Sequence, residues 1–492
     1  MGNFISKTAL VVVGLTLCGC YGMRPSQGGG QLTKLPEMQA RRLAAGDIAL
    51  PEGYRIEAVA TALTYPTGVT FDEHGVPYVV EAGYSYGEVW EVPRLLRVGR
   101  DGVTTVASGG QNGPWTGVTR HGRSFYVAEG GELEGGRILH ITEDGKISTL
   151  VAQLPSRGDH HTNGPVLGPD GRLYFGIGTA TNSAVVGEDN FQFGWLKRNP
   201  ELHDIACSDL TLSGENYASK DPFAGDGQPA TTGAFSPFGT PTAKGEVIRG
   251  KIPCNGAVFS MLPAGGALQL EAWGFRNPFG LAFSSEGKLF VTDNGYDERG
   301  SRPVYGAGDP LWEVSRGTWY GWPDFSAGLR LDQGNQFKPL LKAKPKLVLA
   351  HYPNQPPKPA AILPVHSSAD GFDFSRSDAF GHRGEAFIAL FGDQSPTTGK
   401  VVAPVGFKLV RVDVKSGVIK EFAVNKGEKG GPASGLGSGG LERPLAARFD
   451  PSGKALYLVD FGILKQTAKG AQPVPKTGVL WRITREDAHE RK

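Results

Sequence analysis

Asp159-His160-His161 stands directly before a segment that reads as a β-strand, and Thr179-Ala180-Thr181-Asn182 follows the strand after it. A histidine at a strand start, with a carboxylate two residues away, can take up a proton near neutral pH. The same tripeptide is equally a turn histidine held by its neighbour. Arg276-Asn277-Pro278 precedes another such strand. Its guanidinium can clamp a carboxylate by paired hydrogen bonds or make a salt bridge between neighbouring elements. Asp293, Asn294, Asp297 and Glu298, with Asp309 in the next loop, gather side-chain oxygens on glycine-rich turns. Calcium takes about six to eight such oxygens. The spacing is not that of a helix-loop-helix calcium loop, and a solvated acidic turn paired with Arg299 or Arg302 accounts for it as well. Trp319-Tyr320-Gly321-Trp322-Pro323-Asp324-Phe325 can wall a flat ligand or pack between elements. Lys400 and Arg443 add positive charge near later strands, as pocket cations or as surface ones.

These residues need a frame, and the frame is a repeat. One phrase recurs: a small residue, an apolar strand, an Asp/Gly or Ser/Gly turn, and a second strand with an aromatic, ending in acid-Gly or Gly. It reads GVTFDEHGVPYVVEAG at 68, GVTRHGRSFYVAEGG at 117, GPVLGPDGRLYFGIG at 164 and GLAFSSEGKLFVTDNG at 280. Looser copies begin at 371 and 444. This is hairpin patterning. Second hairpins lie between the copies, beginning at 95, 138, 258 and 409. An inner and an outer hairpin make one four-stranded blade, so six copies predict an all-β, six-bladed β-propeller. Residues 54–63 have no inner partner before them and 479–484 no outer partner after them, so the N- and C-terminal strands are expected to pair and close the ring. Residues 183–250 and 323–368 break the rhythm and read as loops over one face. Residues 485–492 read as a polar tail. In a propeller, inner strands line the central channel, and polar residues at their ends converge on one axial pocket.

The chain has 492 residues, 72 of them glycine and 35 proline, and a net charge of +2. That composition suits many short strands and turns, and such a charge draws in neither nucleic acid nor an acidic membrane surface. Thr8 to Leu17 form an apolar run too short to span a bilayer comfortably. Leu17-Cys18-Gly19-Cys20 resembles the lipobox of bacterial lipoproteins, which implies a signal over 1–20, a lipid-modified Cys20, a tether over 21–50 and a propeller over 51–484. An ordinary secretory signal is the alternative. Tyr21 follows the cysteine in place of an inner-membrane retention signal, so an outer-membrane anchor facing the periplasm is expected. Export means an oxidising compartment. Cys207 and Cys254 then remain and are expected to pair, with two buried thiols as the other possibility.

Taken in order, a histidine before GPDGRLY, small polar residues ending in Asn, RNPFGLAF, an acidic glycine turn and WYGWPDF resemble the glucose/sorbosone dehydrogenase family over about residues 51–484. GIGTATN is similar to the L-sorbosone dehydrogenase branch. The glucose dehydrogenase branch carries an Arg-Asn pair where this chain has Asn182-Ser183. Gly392-Asp393-Gln394 stands where the sorbosone branch has Gly-Ser-Trp-Asn-Arg. The resemblance implies an exported six-bladed propeller that uses pyrroloquinoline quinone and calcium, a small sugar substrate and a separate electron acceptor. His161 would be the general base. Asn182, Arg276, Asn277, Lys400 and Arg443 would bind the cofactor, and Asp297 and Glu298 would be calcium-associated. A non-catalytic carbohydrate- or envelope-binding propeller and a calcium-dependent lactonase-like hydrolase are the alternatives.

Overall fold

The computed structural model describes residues 41–83, 91–131, 133–224, 227–393, 403–467 and 470–486. Six antiparallel sheets, five of four strands and one of five, form successive blades beside smaller two-stranded ribbons. Their innermost strands are Pro66–Phe71, Trp115–His121, Thr162–Leu167, Pro278–Phe283, Ala369–Phe374 and Pro444–Phe449. Each packs on the innermost strand of the next sheet, and the last packs on the first, so the fold is a closed six-bladed β-propeller. Closure comes from the expected seam: Tyr54–Leu63 pairs with Gly478–Arg485 as the outer strand of blade 6.

The small residue that opens each repeat has a physical cause. Innermost strands crowd round a narrow axis, and a side chain there would strike the neighbouring backbone. A Cβ on Gly280 would lie 2.2 Å from the carbonyl oxygen of Asp370, and one on Gly117 would lie 2.6 Å from that of Gly164. The acid that closes the phrase is structural too. In blade 4, Asp293 Oδ1 accepts the amides of Arg276 and Asn277, and Oδ2 accepts the indole N–H of Trp312. In blade 6, Asp460 does the same for Arg443 and Trp481. Each acid ties its innermost strand to the third strand of its own blade.

Two expectations are corrected. Residues 41–50 do not behave as tether: Ile48–Ala49 adds a fifth strand to blade 5, and Arg41 is bonded to Asp460 at 2.5 Å. The 323–368 segment is not all loop, because Ala361–Leu363 pairs with Asp309–Glu313 to complete blade 4. Residues 183–250 form two short helices and two small ribbons. A disulfide joins Cys207 to Cys254 at the end of that insertion. The lipobox, Cys20 and Lys400 lie outside the described residues.

Candidate active site

All six innermost strands start at the same end of the channel, so the residues just before them share one mouth. His161 immediately precedes the blade 3 strand, Arg276 and Asn277 the blade 4 strand, and Arg443 the blade 6 strand. His366 comes three residues before the blade 5 strand. Both histidines lie just ahead of the strand and face different neighbours, His160 toward Gly178 and His161 toward Gly130. His160 is buried, with Nδ1 3.0 Å from the Thr179 carbonyl. Burial, helped by the nearby Arg276 and Arg299, pushes its pKa down to about 3 against the pull of Asp159, so the ring is neutral. His161 is only half-buried and packs against Gly130 at the end of blade 2. Of the two, His161 is the less buried.

Behind the histidines lies a network of buried charge. Asp297 Oδ2 accepts from Arg276 Nη2 at 2.9 Å and from Arg299 Nε at 3.0 Å. Arg299 also holds Asp189 at 2.7 Å and bonds Asp159. Arg276 lies 3.6 Å from Asp159. Burial pushes all three acids up. At Asp297 the two guanidiniums outweigh it and hold the carboxyl well below the usual range, and at Asp159 Arg299 and Arg276 do so less strongly. At Asp189 burial wins. Asp159 therefore serves the arginines rather than pairing with His161.

A ladder of amides links the mouth across three blades. Asn163 donates to Asn277 at 3.0 Å, Asn277 to Asn294 at 2.7 Å, and Asn294 to the carbonyl of Ala369 at 3.1 Å. Asn277 thus binds its neighbours on both sides. Asn182 is spent on the fold as well: its amide donates to the carbonyls of Asp297 and Arg299 and accepts from Asp297 N and Arg276 Nε. It clamps the 297–299 turn. Arg443 lies between the faces of Phe391 and Phe407, 4.8 and 4.9 Å from their centroids, and donates to the carbonyls of Gly392 and Asp393. It pins the turn that leads into residues 394–402.

His366 is a site residue that the motifs did not bring out. Its Nδ1 lies 3.5 Å from Asp297, and its buried Nε2 meets no hydrogen-bond partner among the described residues. His366 has φ 60 and Ser368 φ 49, so two non-glycine residues sit in the left-handed region within one turn. The available signal was position: His366-Ser367-Ser368 precedes a repeat phrase much as Asp159-His160-His161 does.

The aromatic segment does not wall a ligand. Trp319, Tyr320, Trp322 and Phe325 are 0, 2, 6 and 4% exposed. Trp319 stacks on Tyr352 and bonds the Trp322 carbonyl, packing the segment into the protein. The acidic turn does not offer calcium an oxygen cage either. Asp297 faces two guanidiniums, Asp293 is consumed by amides, Glu298 is half-buried beside them, and no group of three or more acidic, histidine or cysteine ligands forms among the described residues. The ion-paired reading of that turn is the one the geometry supports, with Arg299 on Asp297 and Arg302 on Asp324.

No family model matches the chain. A stretch of 189 residues is 27% identical to quinoprotein glucose dehydrogenase B of Acinetobacter calcoaceticus, covering 38% of this chain and 30% of that relative. The chain resembles the glucose/sorbosone dehydrogenases. Its fold matches the pyrroloquinoline quinone-bound aldose sugar dehydrogenase of Streptomyces coelicolor with a TM-score of 0.50 at 15% identity, over 89% of this chain and 99% of that one. The soluble aldose sugar dehydrogenase of Escherichia coli gives 0.50 at 14%, over 88% and 100%. The pyrroloquinoline quinone domain of pyranose dehydrogenase from Coprinopsis cinerea gives 0.52 at 15%, over 92% and 99%. The matched stretch is less than a third of the curated relative's length, and at these identities the solved structures establish the fold. The feature of the mouth that fits a quinone carrying carboxylates is the buried His366 Nε2, a polar atom that meets no hydrogen-bond partner among the described residues; Arg443 lies at the same end but is 3% exposed and donates to backbone carbonyls.

Proposed function

We propose that the chain is an exported, quinone-dependent dehydrogenase that oxidises a sugar or a sugar-derived aldehyde or hemiacetal, of glucose or sorbosone type. The observation that carries this reading is the convergence of His161, Arg276, His366 and Arg443 on one end of the channel. Pyrroloquinoline quinone, when bound, supplies the two-electron acceptor. By the family resemblance Arg443, Arg276, Asn277 and Lys400 would hold it; Arg276, Asn277 and Arg443 would do so in exchange for bonds their side chains now make within the fold. His161 takes the proton of the substrate hydroxyl. His160, kept neutral by burial, anchors the turn that presents His161. Asp159, Asp189 and Asp297 fix the two arginines, so the ion-paired groups behind the mouth do not have to reorganise during the reaction. An external electron acceptor completes the cycle, and a lipid on Cys20 places the enzyme on the periplasmic side of the outer membrane.

The test is dye-linked oxidation of aldoses and sorbosone by the protein loaded with pyrroloquinoline quinone. His161→Ala is expected to fold normally and to lose about 10²- to 10⁴-fold in kcat/KM. Full activity in that variant contradicts the role of His161. Among the described residues, the burial of Trp319, Tyr320, Trp322 and Phe325 does not favour the carbohydrate-binding alternative, and the pairing of the 293–298 carboxylates does not favour the lactonase one.

A further inference from the structure

The second insertion carries a feature that sugar oxidation does not use. Residues 338–346 read KPLLKAKPK, with four lysines and no acid, in a chain whose net charge is only +2. Leu340 and Leu341 are 79 and 93% exposed, the most open of the large apolar side chains described. Exposure on this scale, on two adjacent leucines, is not explained by packing. The ends of the segment are nevertheless fixed. Pro339 and Pro345 are buried, Phe337 is 2% exposed, and the Phe337 carbonyl accepts the amide of Tyr305 at 3.1 Å. Beyond Pro345 the chain rejoins a ribbon, where Leu349 bridges Leu212. Between these clamps Leu340 to Lys344 stand clear of the fold, every residue exposed.

The charges around the leucines are free to act outward. Lys346 is paired with Glu215 at 2.8 Å. Among the described residues Lys338, Lys342 and Lys344 make no salt bridge, and Asp332, which lies near Lys344, is held by Arg330 at 2.6 Å. Tyr305 belongs to the loop between the second and third strands of blade 4, which lies at the end of the propeller where the histidines collect. The loop therefore projects beside the candidate mouth.

From this geometry we propose that residues 338–346 are a membrane-docking loop that seats on anionic phospholipid. Leu340 and Leu341 enter the acyl boundary, and Lys338, Lys342 and Lys344 meet the headgroups. An apolar tip with a basic collar is what an interfacial segment needs, and lysine stems can lie along the apolar layer with their charges outside it. A convex tip complements a deformable plane rather than a protein pocket. The overall charge had argued against an acidic membrane surface; the local charge reverses that for this one segment. The proposal does not rest on the dehydrogenase reading.

The test uses the full chain with Cys18→Ser and Cys20→Ser, which removes lipidation and leaves one introduced thiol for an environment-sensitive dye. The probe is placed by Leu341→Cys, or by Leu262→Cys as reference. Leu262 is 50% exposed and follows the third strand of blade 3 at the opposite end of the propeller. On vesicles containing phosphatidylglycerol the dye at 341 is expected to shift to the blue while the dye at 262 does not. Lys338→Gln, Lys342→Gln and Lys344→Gln should each weaken vesicle affinity about fivefold, with salt acting in the same direction. The proposal is overturned by an unchanged spectrum at 341, by equal shifts at both positions, or by an equal response on neutral phosphatidylcholine vesicles. It is also overturned if an acidic protein, and not vesicles, produces the shift.

Discussion

His160 is a neutral ring inside a cluster of ions, and that has a consequence for stability. Its folded pKa, about 3, lies below the ordinary value of 6.5. The unfolded chain therefore takes up a proton first as pH falls, and the stability that the neutral ring contributes is present above pH ~6.5 and is lost progressively toward pH ~3. His160→Asn keeps a donor for the Thr179 carbonyl and removes the titration. Urea denaturation between pH 6.5 and 4 should show that variant losing about 1.4 kcal/mol less per pH unit than the parent; parallel pH profiles would sink this assignment. The three acids of the cluster also differ. Asp297 is held well below the carboxylate range by Arg276 and Arg299, whereas Asp189 is pushed up by burial. Asp297→Asn is expected to cost about 3 kcal/mol or more and Asp189→Asn less than about 1 kcal/mol. Equal losses in denaturation would show that the charges are not partitioned in this way. At this scale the sequence showed which residue types gather but not their allegiances. Asp159 looked like a partner for His161 and serves arginines, because the partners come from residues 276 and 299, far along the chain.

Among the elements, the innermost strands carry the tightest constraint. Gly280→Ala would drive a methyl group into the Asp370 carbonyl, while Gly110 has open space at its Cβ position. Thermal unfolding should report a loss of about 3 kcal/mol for Gly280→Ala and almost none for Gly110→Ala; a neutral Gly280→Ala would mean that neighbouring blades do not pack as closely as the structure shows. The inner hairpins were legible because each is local, with two strands, a short turn and a two-residue period. The seam was legible as two strands left without partners. The outer pair of blade 4 was not, since 47 residues separate Glu313 from Ala361 and one partner is only three residues long. The aromatic stretch inside that gap resembles a ligand wall in sequence, because packed and ligand-facing aromatics share the same letters. Burial separates them. His366 was hidden for a related reason: its loop has no repeat phrase of its own, and only its place before the blade 5 strand gives it meaning.

The whole molecule is a ring whose order along the chain is its order in space, so residues hundreds of positions apart meet at one mouth. That is why a series of individually weak motifs carries more than any one of them. The ring also separates two tasks. Acids at the strand ends and close-packed glycines hold the blades, while the residues just ahead of the strands gather at one end of the channel. Pairing Tyr54–Leu63 with Gly478–Arg485 completes blade 6 and closes the ring, so both insertions are carried on a closed scaffold. The central claim is that this mouth takes pyrroloquinoline quinone. Calorimetric titration of the purified protein with that cofactor tests it most directly. One molecule bound per chain, with dye-linked sugar oxidation rising in step with occupancy, is the predicted result; no heat of binding and no cofactor-dependent oxidation would contradict it.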